Sequence, residues 1–302
     1  MRVLIVGCGY VGVPLGAELV RLGHEVFGLR RSPSGATELK AAGIQPLVGD
    51  VTRPETLKKL PREFDWVVNC VSAGGDAENY RDTYFNGTKN LIAWLAPHPP
   101  RKFVYTSSTS VYGQNDGSPV KESSPAEPLA ETSQILVATE KILLDAVAQD
   151  KFPAVILRVA GIYGPDRGHW FRQFLNDTAH LEGDGARFLN MIHRDDLVGC
   201  IAAALKNGRA GEVYNAADDE PVSQLHFFQW LAQAVDKPLP PSAPENPDAT
   251  RRRGVTNKRV SNRRLKMELG YQFKYPTFRQ GYSAELFRLD RQGESHISQD
   301  RN

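Results

Sequence analysis

Gly7-Cys8-Gly9-Tyr10-Val11-Gly12 is the first stretch whose residue types and spacing imply chemistry. In a G-x-G-x-x-G run the first glycine permits a tight turn and the second lets backbone approach a pyrophosphate. The third lets helix and strand pack closely, and the helix that follows offers free N–H groups to the anion. The run follows the apolar Val3–Val6 and opens a segment with Val11, Leu15 and Leu19 four apart. It therefore joins a buried strand to a helix, the context in which this spacing signifies a dinucleotide site. Gly7, Gly9, Tyr10, Val11 and Gly12 are its expected contacts. Cys8 lies at a helix N-terminus, which can lower a thiol pKa; the simpler reading is a small residue beside the cofactor.

The end of the second strand bears on which dinucleotide is bound. An acidic side chain there accepts hydrogen bonds from the ribose 2′-hydroxyl of NAD, but this chain has Gly28-Leu29-Arg30-Arg31. Arg30 and Arg31 suit a 2′-phosphate by charge and by their fork of donors, which favours NADP over NAD. A solvated surface pair is the alternative.

The elements that must position these groups alternate along the chain. Val3–Val6, Glu25–Leu29, Ile44–Val48, Trp66–Cys70, Phe103–Ser107 and Ala154–Val159 read as buried strands, with helices expected at 80–95 and 132–149. Pro14 falls in the first turn of the first helix, where its missing N–H costs little. Repeated strand–helix–strand units predict an α/β fold, a Rossmann doubly wound parallel sheet with helices on both faces. After Gly164-Pro165 the pattern loosens into a polar insertion over 166–190. A helix at Asp195–Lys206, a strand at Glu212–Asn215 and an amphipathic helix at Ser223–Val235 follow. Lys237–Asp248 holds five prolines and reads as a surface loop, and the last dozen residues read as frayed. The expected division is a dinucleotide-binding domain at 1–165 and a smaller C-terminal substrate lobe at 166–302, with parts of about 191–222 returning to the sheet.

With 302 residues, 41% of them hydrophobic and 24% charged, the composition is that of a soluble globular protein. A net charge of +2 gives no pull toward nucleic acid or membrane. Cys8, Cys70 and Cys200 imply neither a disulfide framework nor a metal site, and a cytoplasmic location is expected. No run approaches the roughly 18 apolar residues of a membrane span.

Later segments carry a resemblance. Gly49-Asp50-Val51, Cys70-Val71-Ser72-Ala73, Thr106-Ser107-Ser108-Thr109-Ser110-Val111-Tyr112-Gly113 and Leu157-Arg158-Val159-Ala160-Gly161-Ile162-Tyr163-Gly164-Pro165 occur in that order. Met191-Ile192-His193-Arg194-Asp195-Asp196-Leu197, Glu212–Asn215 and Asn257–Gly270 follow. Together they resemble the landmarks of the extended short-chain dehydrogenase/reductase (SDR) family, in its NAD-dependent epimerase/dehydratase branch, over about residues 1–285. The resemblance implies that Asp50 and Val51 meet the adenine and that Cys70, Val71 and Ser72 lie beside a cofactor ribose. It also implies that Ser107 and Ala160 flank the nicotinamide end, and that Ser108, four before Tyr112, bonds a substrate hydroxyl or carbonyl. A small-molecule substrate, including a nucleotide sugar, and a homodimer are further implications.

The chain departs from that family where protons are handled. The family's acid/base tyrosine and the lysine four residues later fall at Thr132 and Leu136, or with a one-residue slip at Ser133 and Val137. The family's asparagine three before Gly87 is Tyr84. This resembles the atypical SDR subgroup, in which the fold and dinucleotide site persist without the usual acid/base. A threonine hydroxyl is too weak to replace the pair. Tyr112, Tyr163 and His193 are the nearby candidates, each read more simply as structural. Arg251, Arg252, Arg253, Lys258, Arg259, Arg263, Arg264 and Lys266 form a basic stretch. It reads as a diphosphate clamp or as a solvated face; nucleic acid is the weakest reading. Two functions remain open, an NAD(P)-dependent oxidoreductase and a non-catalytic NADP-binding sensor.

Overall fold

The first strand shows why a parallel sheet forms. In Arg2–Val6 (β1), Val3 and Ile5 belong to one hydrophobic cluster and Leu4 and Val6 to another, so both faces of the strand are covered. A computed structural model describes residues 1–243 and 256–299. The other strands of the main sheet are Glu25–Arg30 (β2), Gln45–Val48 (β3), Trp66–Asn69 (β4), Lys102–Ser108 (β5), Ala154–Val159 (β6) and Val213–Ala216 (β7). All seven run parallel in the order β7-β6-β5-β4-β1-β2-β3. The order reverses between β1 and β4, and the loops leaving those strands diverge to open a crevice at their carboxyl ends.

Helices cover both faces. Gly12–Arg21 (α1) and Arg194–Asn207 (α5) bring Leu15, Leu19, Leu197, Ile201 and Leu205 to one cluster. Gly87–Leu95 (α3) and Glu131–Asp150 (α4) bring Leu91, Trp94, Leu95 and Leu143 to the other. Ala36–Ala41 (α2) links β2 to β3. Ile44, expected to open β3, instead donates its N–H to the Leu39 carbonyl and buries its side chain, so the strand starts one residue later.

The helix expected over 80–95 begins earlier and is not uniform. Asp76 caps a short turn at Ala77–Tyr80, Arg81–Asn86 is π-helical, and α3 continues directly. The polar insertion over 166–190 is more ordered than its composition suggests, with a helix at His169–Leu175 and two-residue strands at Leu181–Glu182 and Phe188–Leu189. Phe171 and Phe174 explain the helix. They join Phe227 and Phe228 of Gln224–Ala234 (α6) and Phe278 and Tyr282 of Phe278–Gln299 (α8) in a third, aromatic-rich cluster. The C-terminal stretch expected to fray continues as α8 to Gln299. Between α6 and α8 lies Arg263–Leu269 (α7), held against α5 and β7. Residues 244–248 of the proline-rich loop, and Arg251–Arg253 of the basic stretch, lie outside the described residues.

Candidate active site

One cleft of about 540 Å³ runs along the carboxyl ends of β1, β2, β4 and β5. Gly7, Gly9, Tyr10 and Val11 form its floor, Arg30, Arg31, Asp50 and Val51 one end, and Cys70, Val71 and Ser72 the wall toward β4. Ser107, Ser108 and Ala160 stand at the other end. Of the residues assigned to a cofactor from sequence, Gly12 alone is not in the wall. A Cβ there would meet Ile5 Cγ2 at 3.0 Å, so its smallness sets the approach of α1 to β1.

The glycine loop is shaped by close contacts. Gly7 has φ +79°, and a Cβ on it would lie 2.7 Å from the Val71 backbone. A Cβ on Gly9 would find its nearest neighbour 3.9 Å away, which leaves room for a ligand's phosphate against the main chain. No side chain caps α1; in its first turn the Val13 N–H donates to the Gly9 carbonyl at 2.8 Å and Pro14 carries no N–H, so the terminus offers an anion chiefly the positive end of the helix dipole. These features fit a dinucleotide pyrophosphate.

Arg30 is braced rather than loose: Nε donates to the Cys8 carbonyl and Nη2 to Glu38 at 2.8 Å. Arg31 is exposed at the same end. Asp50 organises its turn by accepting from the Thr52 N–H and hydroxyl, both at 2.9 Å. Cys8 is fully buried behind the loop, and burial pushes its thiol up to about 12 despite nearby Arg30. The helix terminus therefore does not make it reactive.

At the far end, Ser108 Oγ accepts from the Ser110 N–H at 3.1 Å, which leaves its own O–H available to a ligand. Ser107 points elsewhere: its hydroxyl donates to Glu140 Oε1 at 2.6 Å. Glu140 also receives Arg158 through Nε (3.1 Å to each oxygen) and Nη2 (2.7 Å). Arg158 lies 4.8 Å from the Tyr112 ring centroid, and Tyr112 donates to Asn215 Oδ1 at 2.8 Å. This network ties β5, α4, β6 and β7 together beneath Ser108.

The candidate proton carriers stand outside this cleft. Tyr112 is committed to Asn215; Tyr163 is buried and stacked on Tyr282 at 4.2 Å, with burial raising its pKa far above the ordinary value. His193 Nδ1 accepts from the Asp195 N–H at 3.1 Å, and its Nε2 lies 3.5 Å from Glu285. None of the three lines the main cleft. Leu136, expected at the position of the family's lysine, does, while Thr132 is not in the wall. The tyrosines of the wall are Tyr10, Tyr80 and Tyr84. Tyr10 donates to the Pro165 carbonyl at 3.0 Å, and burial pushes it up to about 12. Tyr84 accepts from the Ala73 N–H at 3.2 Å. Arg167, from the polar insertion, also reaches the cleft and lies 5.1 Å from the Tyr10 ring centroid. No local motif marks it in the sequence.

Among the described residues, members of the basic stretch are engaged separately within the fold. Arg264 is paired with Glu212 and Glu268, Lys266 with Asp219, and Arg259 donates to the Gly117 carbonyl.

A doubly wound sheet with a glycine-floored cleft at its switch point defines the Rossmann class of nucleotide-binding proteins. Within that class the chain belongs to the NAD dependent epimerase/dehydratase family, whose model matches residues 3–217. It is 28% identical over 285 residues to protein YeeZ of Escherichia coli, covering 91% of this chain and 96% of that protein. A functionally unknown conserved protein from Silicibacter pomeroyi is 30% identical, with TM-score 0.77 and coverage of 94% and 97% of the two chains. The dTDP-glucose 4,6-dehydratase DesIV from Streptomyces venezuelae, solved with NAD and TYD bound, superposes at TM-score 0.81. It covers 94% of this chain and 95% of its own, and at 21% identity it shares the fold.

Proposed function

We propose that this protein is an NADP-dependent oxidoreductase of the epimerase/dehydratase type, acting on a carbonyl or hydroxyl of a small molecule without the usual Tyr-x-x-x-Lys pair. The observation that carries the reading is that one cleft gathers the glycine loop, Arg30, Asp50 and Ser108 along a single wall. The nicotinamide dinucleotide, when bound, supplies hydride acceptance or donation. Gly7, Gly9 and the N-terminus of α1 would hold its pyrophosphate, Asp50 and Val51 its adenine end, and Arg30 and Arg31 a 2′-phosphate. Ser108 would then orient the substrate oxygen by donating its O–H. With Leu136 in the lysine's place, the proton must come from the substrate or from another group of the wall. The cytoplasm, a homodimer and the division into lobes at about residue 165 belong to this reading as well, with a nucleotide sugar as the alternative to a smaller substrate. Relatives bound to NAD and to nucleotide ligands support it by analogy of fold.

A second reading, a non-catalytic NADP-binding sensor, is favoured by the aliphatic Leu136 in the cleft. Fluorescence titration with NADPH and NADH tests the part common to both. NADPH is expected to bind more tightly, and Arg30→Ala to remove about 1.5–3 kcal/mol of that preference. A protein that binds neither dinucleotide overturns both readings; measurable turnover of a carbonyl panel separates them.

A further inference from the structure

Beyond Ser108 lies a second, smaller hollow of about 240 Å³. It shares Ile162 with the main cleft, and Thr109, next in the chain after Ser108, stands in its wall. Tyr163, Trp170, Phe188 and Tyr282 make much of that wall aromatic. Asn190, also in the wall, pins the segment opposite: its Nδ2 donates to the Lys258 carbonyl at 2.9 Å, and its Oδ1 accepts from the Val260 N–H at 2.7 Å.

The segment so pinned carries an unusual cation. Lys258 is 5% exposed, and its ammonium donates to the hydroxyl of Thr256, which itself lines the hollow. Among the described residues no carboxylate stands within ion-pair distance of it, whereas Arg264 and Lys266 in the same stretch are each paired. A buried charge lacking a counter-charge is unfavourable unless a partner arrives. Burial lowers the Lys258 pKa to about 8, which leaves it mostly protonated at neutral pH. Lys258 itself stands just behind the wall, its ammonium at the Thr256 hydroxyl, while Arg187, bonded to Glu182 at 2.7 Å, is a cation of the wall.

We propose that Lys258 is the anion anchor of the substrate site, and that the substrate is a small carboxylic acid with a flat, apolar body. The carboxylate reaches the ammonium beside the Thr256 hydroxyl, the body lies against the aromatic wall, and the reacting carbon is directed past Thr109 toward Ser108. The hollow is smaller than the roughly 300–1,000 Å³ of pockets that take drug-sized ligands, which favours a compact acid over a nucleotide diphosphate. This names the substrate class of the proposed oxidoreductase and rests on that reading of the main cleft.

Isothermal titration of the full chain with benzoate, and with benzamide as its uncharged counterpart, tests the anchor. Benzoate is expected to bind at least about tenfold more tightly than benzamide. Lys258→Met should erase the difference, Lys258→Arg should keep most of it, and NADPH affinity should be the same in all three proteins. Equal binding of the two probes to the unaltered protein, no benzoate binding, or a preference that survives Lys258→Met would overturn the proposal. Failure of the cofactor reading shows separately, as an unaltered protein that does not bind NADPH.

Discussion

Removing the Glu140 carboxylate should destabilise the protein far more than removing the whole ion pair to which it belongs. Arg158 and Glu140 are 7% and 3% exposed, and three N–O contacts of 2.7–3.1 Å join them. In Glu140→Ala the guanidinium keeps the Tyr112 ring and a 3.3 Å bond to the Glu122 carbonyl, but no counter-charge from α4. An uncompensated buried charge costs about 3–5 kcal/mol, and the orphaned Ser107 hydroxyl adds about 1 kcal/mol. At about 2–4 °C per kcal/mol, the melting temperature should fall by roughly 10 °C or more. Glu140→Leu combined with Arg158→Met replaces the pair by apolar groups and should lie within about 2 kcal/mol of the unaltered protein. Urea unfolding followed by circular dichroism measures all of these variants. A Glu140→Ala loss under about 1 kcal/mol, or a double variant as unstable as the sum of the singles, would refute this account of the network.

Two further outcomes follow from single positions. Gly7→Ala and Gly23→Ala both place a Cβ at positive φ (79° and 82°), which costs about 1–2 kcal/mol, but nothing lies within 4 Å of the Gly23 position. Thermal unfolding should show a loss in both variants, while NADPH titration should show a drop of about tenfold or more in Gly7→Ala alone, because its Cβ displaces Val71. Asp218 is buried with Oδ2 unbonded, and burial raises its pKa well above the carboxylate range, opposed by the Glu220 N–H and aided by Glu220, Asp219 and Asp196. A folded pKa above the unfolded value of about 3.9 means that stability is fullest below that pH and is lost as pH rises toward the folded value. Asp218→Asn should remove that decline, a slope of at most about 1.4 kcal/mol per pH unit, measured as unfolding free energy from about pH 4 to 8.

The sheet was legible because its strands are continuous apolar runs bounded by turns, and no competing pattern fits them. Phe103–Ser107 and Ala154–Val159 fall within one residue of β5 and β6. The helix at His169–Leu175 was hidden by its polar neighbours, since its phenylalanines find their partners on α6 and α8, far along the chain. At the site, backbone-driven features such as Gly7 are local and can be read from spacing. Where a side chain points is decided by the strongest buried partner: Ser107 turns to Glu140, not to the cleft. Arg167 carries no local signal, and Lys258, legible only as one member of a basic stretch, is buried in a segment held by Asn190, 68 residues away in the chain.

The π-helical stretch at Arg81–Asn86 has a consequence for how chain length can vary at this wall. An i→i+5 turn houses one residue more than an α-turn, so the segment behaves as an insertion absorbed without breaking the helix. Losing a single residue there would restore α pitch and leave Leu91, Trp94 and Leu95 seated as before. The same deletion would keep the upstream turn facing as it does and alter instead how the stretch presents Thr83 and Tyr84, which line the cleft. The wall of the site can thus be recomposed by a one-residue length change that the core does not feel.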